Sequence, residues 1–250
     1  MRSAKHKVVT IFVHLAVAGG LVWADQPTPD EALNRLQQGN QRFVSGDPKH
    51  PNTDAARRHE TFTGGQHPFV TLMTCSDSRV PVELIFDQGI GDVFVIRVAG
   101  NVSNTDEIGS IEYGVGHLHT PLLVVLGHTR CGAVTAVVEK AELHGNIPPL
   151  VERIKLAAAK ARRKHPKLDG EDFLHQAIRE NVWQSIEDAI ANSAETRELV
   201  KEGKLRVVGA IYDLDSGSVE WMGRHPNESE LLTAKNTPKH AHPKHPSDAR

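Results

Sequence analysis

The chain is poor in cysteine: its 250 residues include only two, Cys75 and Cys131. A disulfide-dense scaffold is excluded, and a chain of this length buries enough apolar surface to fold without crosslinks. Long apolar runs are equally scarce. The one of near-membrane length, Val8 to Ala24, follows the basic segment Met1-Arg2-Ser3-Ala4-Lys5-His6-Lys7, carries His14 and the pair Gly19-Gly20, and ends in Val22-Trp23-Ala24. It lies at the short limit for crossing a bilayer and no basic stop-transfer cluster follows. Residues 1–24 are therefore predicted to be a secretory signal peptide cleaved after Ala24. The expected location is periplasmic or secreted, with no membrane association after cleavage. An excess of positive charge is also missing. The leader holds Arg2, Lys5 and Lys7 of the 29 basic residues and none of the 31 acidic ones, which leaves the mature 226 residues at a net charge of -5 and argues against nucleic acid as a partner. No internal repeat is present. Gly89-Ile90-Gly91 and Gly114-Val115-Gly116 lack the third glycine and the strand-to-helix context of a dinucleotide loop.

What is present is an alternation of short apolar runs and helical segments. Strands are predicted at 68–74, 92–97, 121–127 and 205–211, with a last one near 218–222. Runs such as Leu122-Leu123-Val124-Val125-Leu126 are continuously apolar, as in strands covered on both faces. Helices are predicted over 105–119, 131–143, 148–163, 170–192 and 194–202. The fold class is α/β, a central mostly parallel sheet of four strands flanked by helices, within a domain spanning residues 25–223. The short Asp213-Leu214-Asp215-Ser216-Gly217 turn implies a hairpin, hence an antiparallel edge strand. Ahead of the sheet, Glu31 to Val44 forms an amphipathic helix with Leu33, Leu36, Asn40, Phe43 and Val44 near helical spacing. A polar linker from Ser45 to Gly65 detaches it, so it is expected to pack on a partner subunit. After Gly223 the composition turns to His, Pro and Lys, and residues 224–250 are expected to be a disordered, solvated tail.

The chemistry-bearing residues gather at two predicted strand ends. Cys75-Ser76-Asp77-Ser78-Arg79 follows the first strand and His128-Thr129-Arg130-Cys131-Gly132 follows the third. Ligands in open α/β sheets bind beyond the carboxyl ends of strands. A disulfide would account for two thiols in an exported chain, but not for Asp77, Arg79 and His128 beside them. Cys75, His128 and Cys131 form the Cys₂His set that zinc accepts in catalytic sites, with a fourth position for water. Residues 75, 77 and 79 point to one side if the chain stays extended. Asp77 then reaches either the metal, closing the site, or Arg79, leaving it open. With Asp77 held ionised by Arg79 and orienting a zinc-bound hydroxide, the site would attack a small electrophilic carbon at neutral pH. Ser76 and Ser78 are read as turn residues, and His117 and His119 as a helix C-terminus.

Cys-x-Asp-x-Arg and His-x-x-Cys, with Gln66 nine residues before Cys75 and the segment Val93-Phe94-Val95-Ile96-Arg97-Val98-Ala99-Gly100-Asn101, resemble the β-class carbonic anhydrases, here of a bacterial, exported kind. The resemblance spans about Glu31 to Gly223. It implies one zinc per subunit on Cys75, His128 and Cys131, an orienting Asp77–Arg79 dyad, and contacts from the Gln66 amide and the Gly132 N–H to carbon dioxide or bicarbonate. It also implies a homodimer or higher even oligomer with sites at the subunit interface. Members switched off by bicarbonate carry a tryptophan three residues before the first cysteine; Leu72 stands there in this chain. Two other readings are a carbonyl sulfide or carbon disulfide hydrolase on the same fold, and a periplasmic zinc-binding protein without catalysis.

Overall fold

A computed structural model describes residues 26–233; the expected leader and residues 234–250 lie outside the described residues. Helices α1 (Pro29–Ser45) and α2 (Ala55–Gly64) precede strand β1 (Val70–Thr74), short helix α3 (Val82–Ile85) and β2 (Val93–Arg97). A 3₁₀ turn (Ala99–Asn101), α4 (Thr105–Glu112) and a π-helical turn (Tyr113–His117) lead to β3 (Leu122–His128). Helices α5 (Gly132–Val138), α6 (Ile147–Leu150), α7 (Glu152–Lys164), α8 (Gly170–Asn192) and α9 (Ala194–Lys201) follow, then β4 (Arg206–Tyr212), β5 (Val219–Gly223) and α10 (Glu228–Thr233).

The strands form one sheet in the order β2-β1-β3-β4-β5, parallel except for β5 against β4. Successive strand residues point to opposite faces, and each face has its own core. Met73, Leu123, Val125 and Val207 pack with α4, α5, α7, α8 and α9 residues, among them Ile111, Val134, Ile154, Ile186 and Val200. Leu72, Val124, Leu126 and Val208 pack with Ala32, Leu36, Val82 and Ile85 on the other side. The chain leaves β1 toward β2 on one side and β3 toward β4 on the other. A crevice therefore opens between the carboxyl ends of β1 and β3, where such sheets bind ligands.

Three expectations need correction. Helix α1 is not detached from its own sheet: it buries one face there, with Ala32 and Leu36 fully buried. The polar member of its inner face explains the docking. Asn40 Nδ2 donates to the carbonyls of Ile85 (3.2 Å) and Gly217 (2.9 Å), and its Oδ1 accepts from Val219 N (3.0 Å). The segment taken as a free linker is pinned, because Asp87 accepts from the backbone N–H groups of Lys49 (3.0 Å) and His50 (2.8 Å) as well as from Arg42 (2.5 Å). It also contains α2, N-capped by Asp54, which the sequence concealed because the helix has no apolar stripe. Finally, residues 224–233 are ordered. His225 is buried edge-on to Trp183 at 5.2 Å, and Leu231 and Leu232 of α10 pack against the main core.

Candidate metal centre

The parallel pairing of β1 with β3 puts Thr74 opposite Leu126, so the residues just beyond both strands meet. Cys75 follows β1 directly, His128 ends β3, and Cys131 is the N-cap of α5. All three are buried, and their ligand atoms lie within 4.8 Å of one another. Neither cysteine is in a disulfide. His128 Nδ1 lies 2.9 Å from the Thr129 carbonyl, so it carries the proton and Nε2 keeps its lone pair. That Nε2 is buried without a hydrogen-bond partner. An orphaned imidazole nitrogen beside two buried thiols calls for a further partner. A zinc ion accepts this donor set, with ligand atoms about 3.5–3.8 Å apart in a tetrahedron.

A hydrogen bond from the Cys131 thiol, with others from the N–H groups of Gly100 and Asp77, holds Cys75 well below the ordinary thiol range. The same contact, with burial, pushes Cys131 upward. A cation between them favours the thiolate at both positions.

Asp77 stands at the edge of this cluster and is paired with Arg79. Its Oδ1 accepts from Arg79 N and Nε, each at 2.9 Å, and its Oδ2 from Nη2 at 2.7 Å. The Arg79 hydrogen bonds hold the carboxyl well below the usual carboxylate range despite the opposing effect of desolvation. Oδ2 is 3.8 Å from His128 Nε2. Arg79, one of the two partners open to Asp77 in the sequence, is within reach of both its carboxylate oxygens. Arg79 Nη2 also reaches the Arg130 carbonyl at 3.4 Å, joining the two loops.

Two residues of the Val93–Asn101 segment carry roles that the sequence reading did not give them. Arg97 donates from Nε to the Cys75 carbonyl (3.1 Å) and from Nη2 to the Asp77 carbonyl (2.6 Å), clamping the loop that bears both residues. Gly100 N–H donates to Cys75 Sγ at 3.2 Å, as Asp77 N–H does at 3.4 Å. The only available signal was a charged residue and a Gly-Asn pair at the end of an apolar strand. Gly132 opens α5 beside Cys131, where its N–H has no intrahelical acceptor. Gln66 is not with the others. It is exposed, four residues ahead of β1, whereas Cys75 follows that strand, and five extended residues separate the two ends by roughly 15 Å. A cavity of about 620 Å³, lined by Arg79, Thr129, Arg130, His175 and Asp213 among others, adjoins the dyad.

A mostly parallel α/β sheet carrying a buried Cys₂His cluster and an adjacent Asp–Arg pair at its carboxyl edge defines an α/β protein with a metal-ligand site. The profile of the family described as carbonic anhydrase matches residues 70–219. Carbonic anhydrase 2 of Mycobacterium tuberculosis is 39% identical over 194 residues, covering 76% of this chain and 90% of that protein. The carbonic anhydrase of Mycolicibacterium smegmatis is 36% identical, covering 77% and 92%. Among solved structures, the beta-carbonic anhydrase CcaA superposes with a TM-score of 0.63 at 26% identity, over 82% of this chain and 99% of that one. CafA of Aspergillus fumigatus gives 0.64 at 26% identity, over 81% and 94%. The chain belongs to the β-class carbonic anhydrase family and is an enzyme of that type.

Proposed function

We propose that the chain interconverts carbon dioxide and bicarbonate, with one zinc ion held by Cys75, His128 and Cys131. The observation that carries this reading is the threefold hydrogen bonding of Asp77 to Arg79, which keeps the carboxylate beside the ligand cluster but out of it, so that a fourth coordination position stays open. Zinc bound there supplies a water ionised near neutral pH as the nucleophile. The chain's own residues do the positioning. Asp77, charged because of Arg79, offers an acceptor oxygen next to the cluster and orients a hydroxyl donor there. The Gly132 N–H, at the start of α5, hydrogen-bonds a substrate oxygen.

The amide of Gln66 completes the site from a second copy, because its own chain holds it at the far end of β1. A homodimer also accounts for α2, a ten-residue helix with no buried residue and with Phe62 85% exposed. We place the protein outside the cytoplasm on the strength of residues 1–24; a mature chain that begins at Met1 would overturn that placement. Stopped-flow hydration of carbon dioxide with the zinc-loaded protein tests the activity. Cys131→Ser is expected to lose zinc and at least 100-fold in rate, whereas a zinc-replete wild type without hydration activity would sink the assignment.

A further inference from the structure

The hydrogen bond from Gly100 to Cys75 Sγ depends on an unusual piece of backbone. Gly100 has φ 76° and Asn101 φ 45°, two consecutive left-handed residues, a conformation that is costly at Asn101 unless its surroundings impose it. On one side the turn is closed in by side chains: a Cβ at Gly100 would lie 2.5 Å from Ile154 Cδ1 and 3.1 Å from Ala133 Cβ. On the other side it is held by α8. Asn181 Nδ2 donates to the Gly100 carbonyl at 2.7 Å, and Ser185 Oγ donates to the Asn101 carbonyl at 2.8 Å. Ser103 Oγ donates in turn to the Ser185 carbonyl at 3.0 Å.

These polar groups sit where apolar ones would be expected. Asn181 and Ser185 are each 1% exposed, one helical turn apart on a face shared with Ala177, Ile178, Val182 and Ile186. Their cost is not fully recovered, since Asn181 Oδ1 and Asn101 Nδ2 are buried without hydrogen-bond partners. A stripe optimised for packing alone would avoid this. What the stripe does produce is a fixed direction for one backbone N–H, aimed at a thiolate sulfur.

We propose that Asn181 and Ser185 are positioning residues for the metal site. Through the turn at Gly100 and Asn101 they hold the Gly100 N–H on Cys75 Sγ and so limit how much charge that thiolate donates to the metal. Hydrogen bonds to a ligating sulfur withdraw electron density from it and tune the bound metal. Two thiolate ligands would otherwise make the ion a weak acid. The inference rests on Cys75 being a metal ligand, as read above.

Cobalt(II) substituted into the full-length protein tests it, because the energy of the sulfur-to-cobalt charge-transfer band follows the electron richness of the thiolates. Asn181→Leu and Ser185→Ala are expected to move the band to lower energy with one cobalt per subunit retained, and to lower kcat about 10-fold, the lower end of the range for outer-shell changes. Ser185→Thr, which keeps the hydroxyl, is expected to leave the band in place, as is Ile186→Val, a truncation on the same face. Ser185→Ala removes a single oxygen from a helix, so it serves if Asn181→Leu does not fold. An unshifted band in cobalt-loaded Ser185→Ala overturns the positioning role while leaving the metal site standing. Failure of the wild type to bind cobalt or zinc overturns the metal site itself, and this inference with it.

Discussion

Asp77 and Asp188 show how much a carboxylate depends on what folds around it. Asp77 is kept ionised by Arg79 beside the Cys-His-Cys cluster. Asp188, 6% exposed on α8, is raised to about 6 by desolvation, which Arg153 at 3.4 Å only partly offsets. Its folded-state value lies above the ordinary 3.8. Its favourable contribution to stability is therefore complete below about pH 4 and is lost as pH rises through 6. Asp188→Asn removes this dependence. Relative to wild type, the variant is expected to gain about 1 kcal/mol between pH 5 and pH 8, read as a more positive difference in Tm at pH 8; an equal difference at both pH values would refute the assignment. The local sequence marks only one of these two aspartates. Asp77 has an arginine two residues on, which made their pairing legible, whereas Asp188 meets Arg153 only through the packing of α7 on α8.

At the scale of elements, β3 was readable as a continuous apolar run, which burial on both faces demands, whereas β5, with Glu220 exposed, was readable from the short turn before it. Helix α8, predicted at 170–192, is observed over Gly170–Asn192. The predicted helix at 105–119 divides instead into α4 and a π-helical turn. Helix α1 was readable as a helix, but not in its docking. Its capping box, Thr28 with Glu31, and its left-handed stop at Gly46 are local, whereas the surface it meets comes from residues 80–90 and 217–219. Gly39 marks the closest approach: a Cβ there would stand 1.7 Å from the Phe86 carbonyl oxygen. Gly39→Ala is expected to destabilise the fold by about 2–3 kcal/mol, as overpacking against rigid backbone does. Gly64→Ala, at a site open to solvent, provides the control in urea denaturation. Equal midpoints for the two variants would show that α1 does not rest on its own sheet.

For the whole molecule, the position of Gln66 sets the test. If it serves the site of a second copy, a subunit carrying Gln66→Ala and one carrying Cys131→Ser complement each other, because the mixed dimer combines an intact ligand set with the partner's amide. Equimolar mixing of unfolded chains followed by refolding with zinc is expected to restore about a quarter of the wild-type activity, since half of the dimers are mixed and each has one complete site. Activity no greater than the mean of the two parent variants would place Gln66 outside the partner's site.

The sequence by itself determined the strand count and the sheet's mixed character, because burial patterning and turn length are local properties. It also singled out Cys75, His128 and Cys131 as a candidate ligand set, because residue chemistry is written at each position and the two motifs fall just beyond two strands. Only the tertiary structure decided that these strands are neighbours, that Asp77 turns to Arg79, and that α1 lies on its own sheet. Only the tertiary structure brought α8, some eighty residues further along the chain, to hold the turn behind Cys75. Those outcomes depend on which distant surfaces meet, and the meeting is set by the packing of the whole chain around two cores.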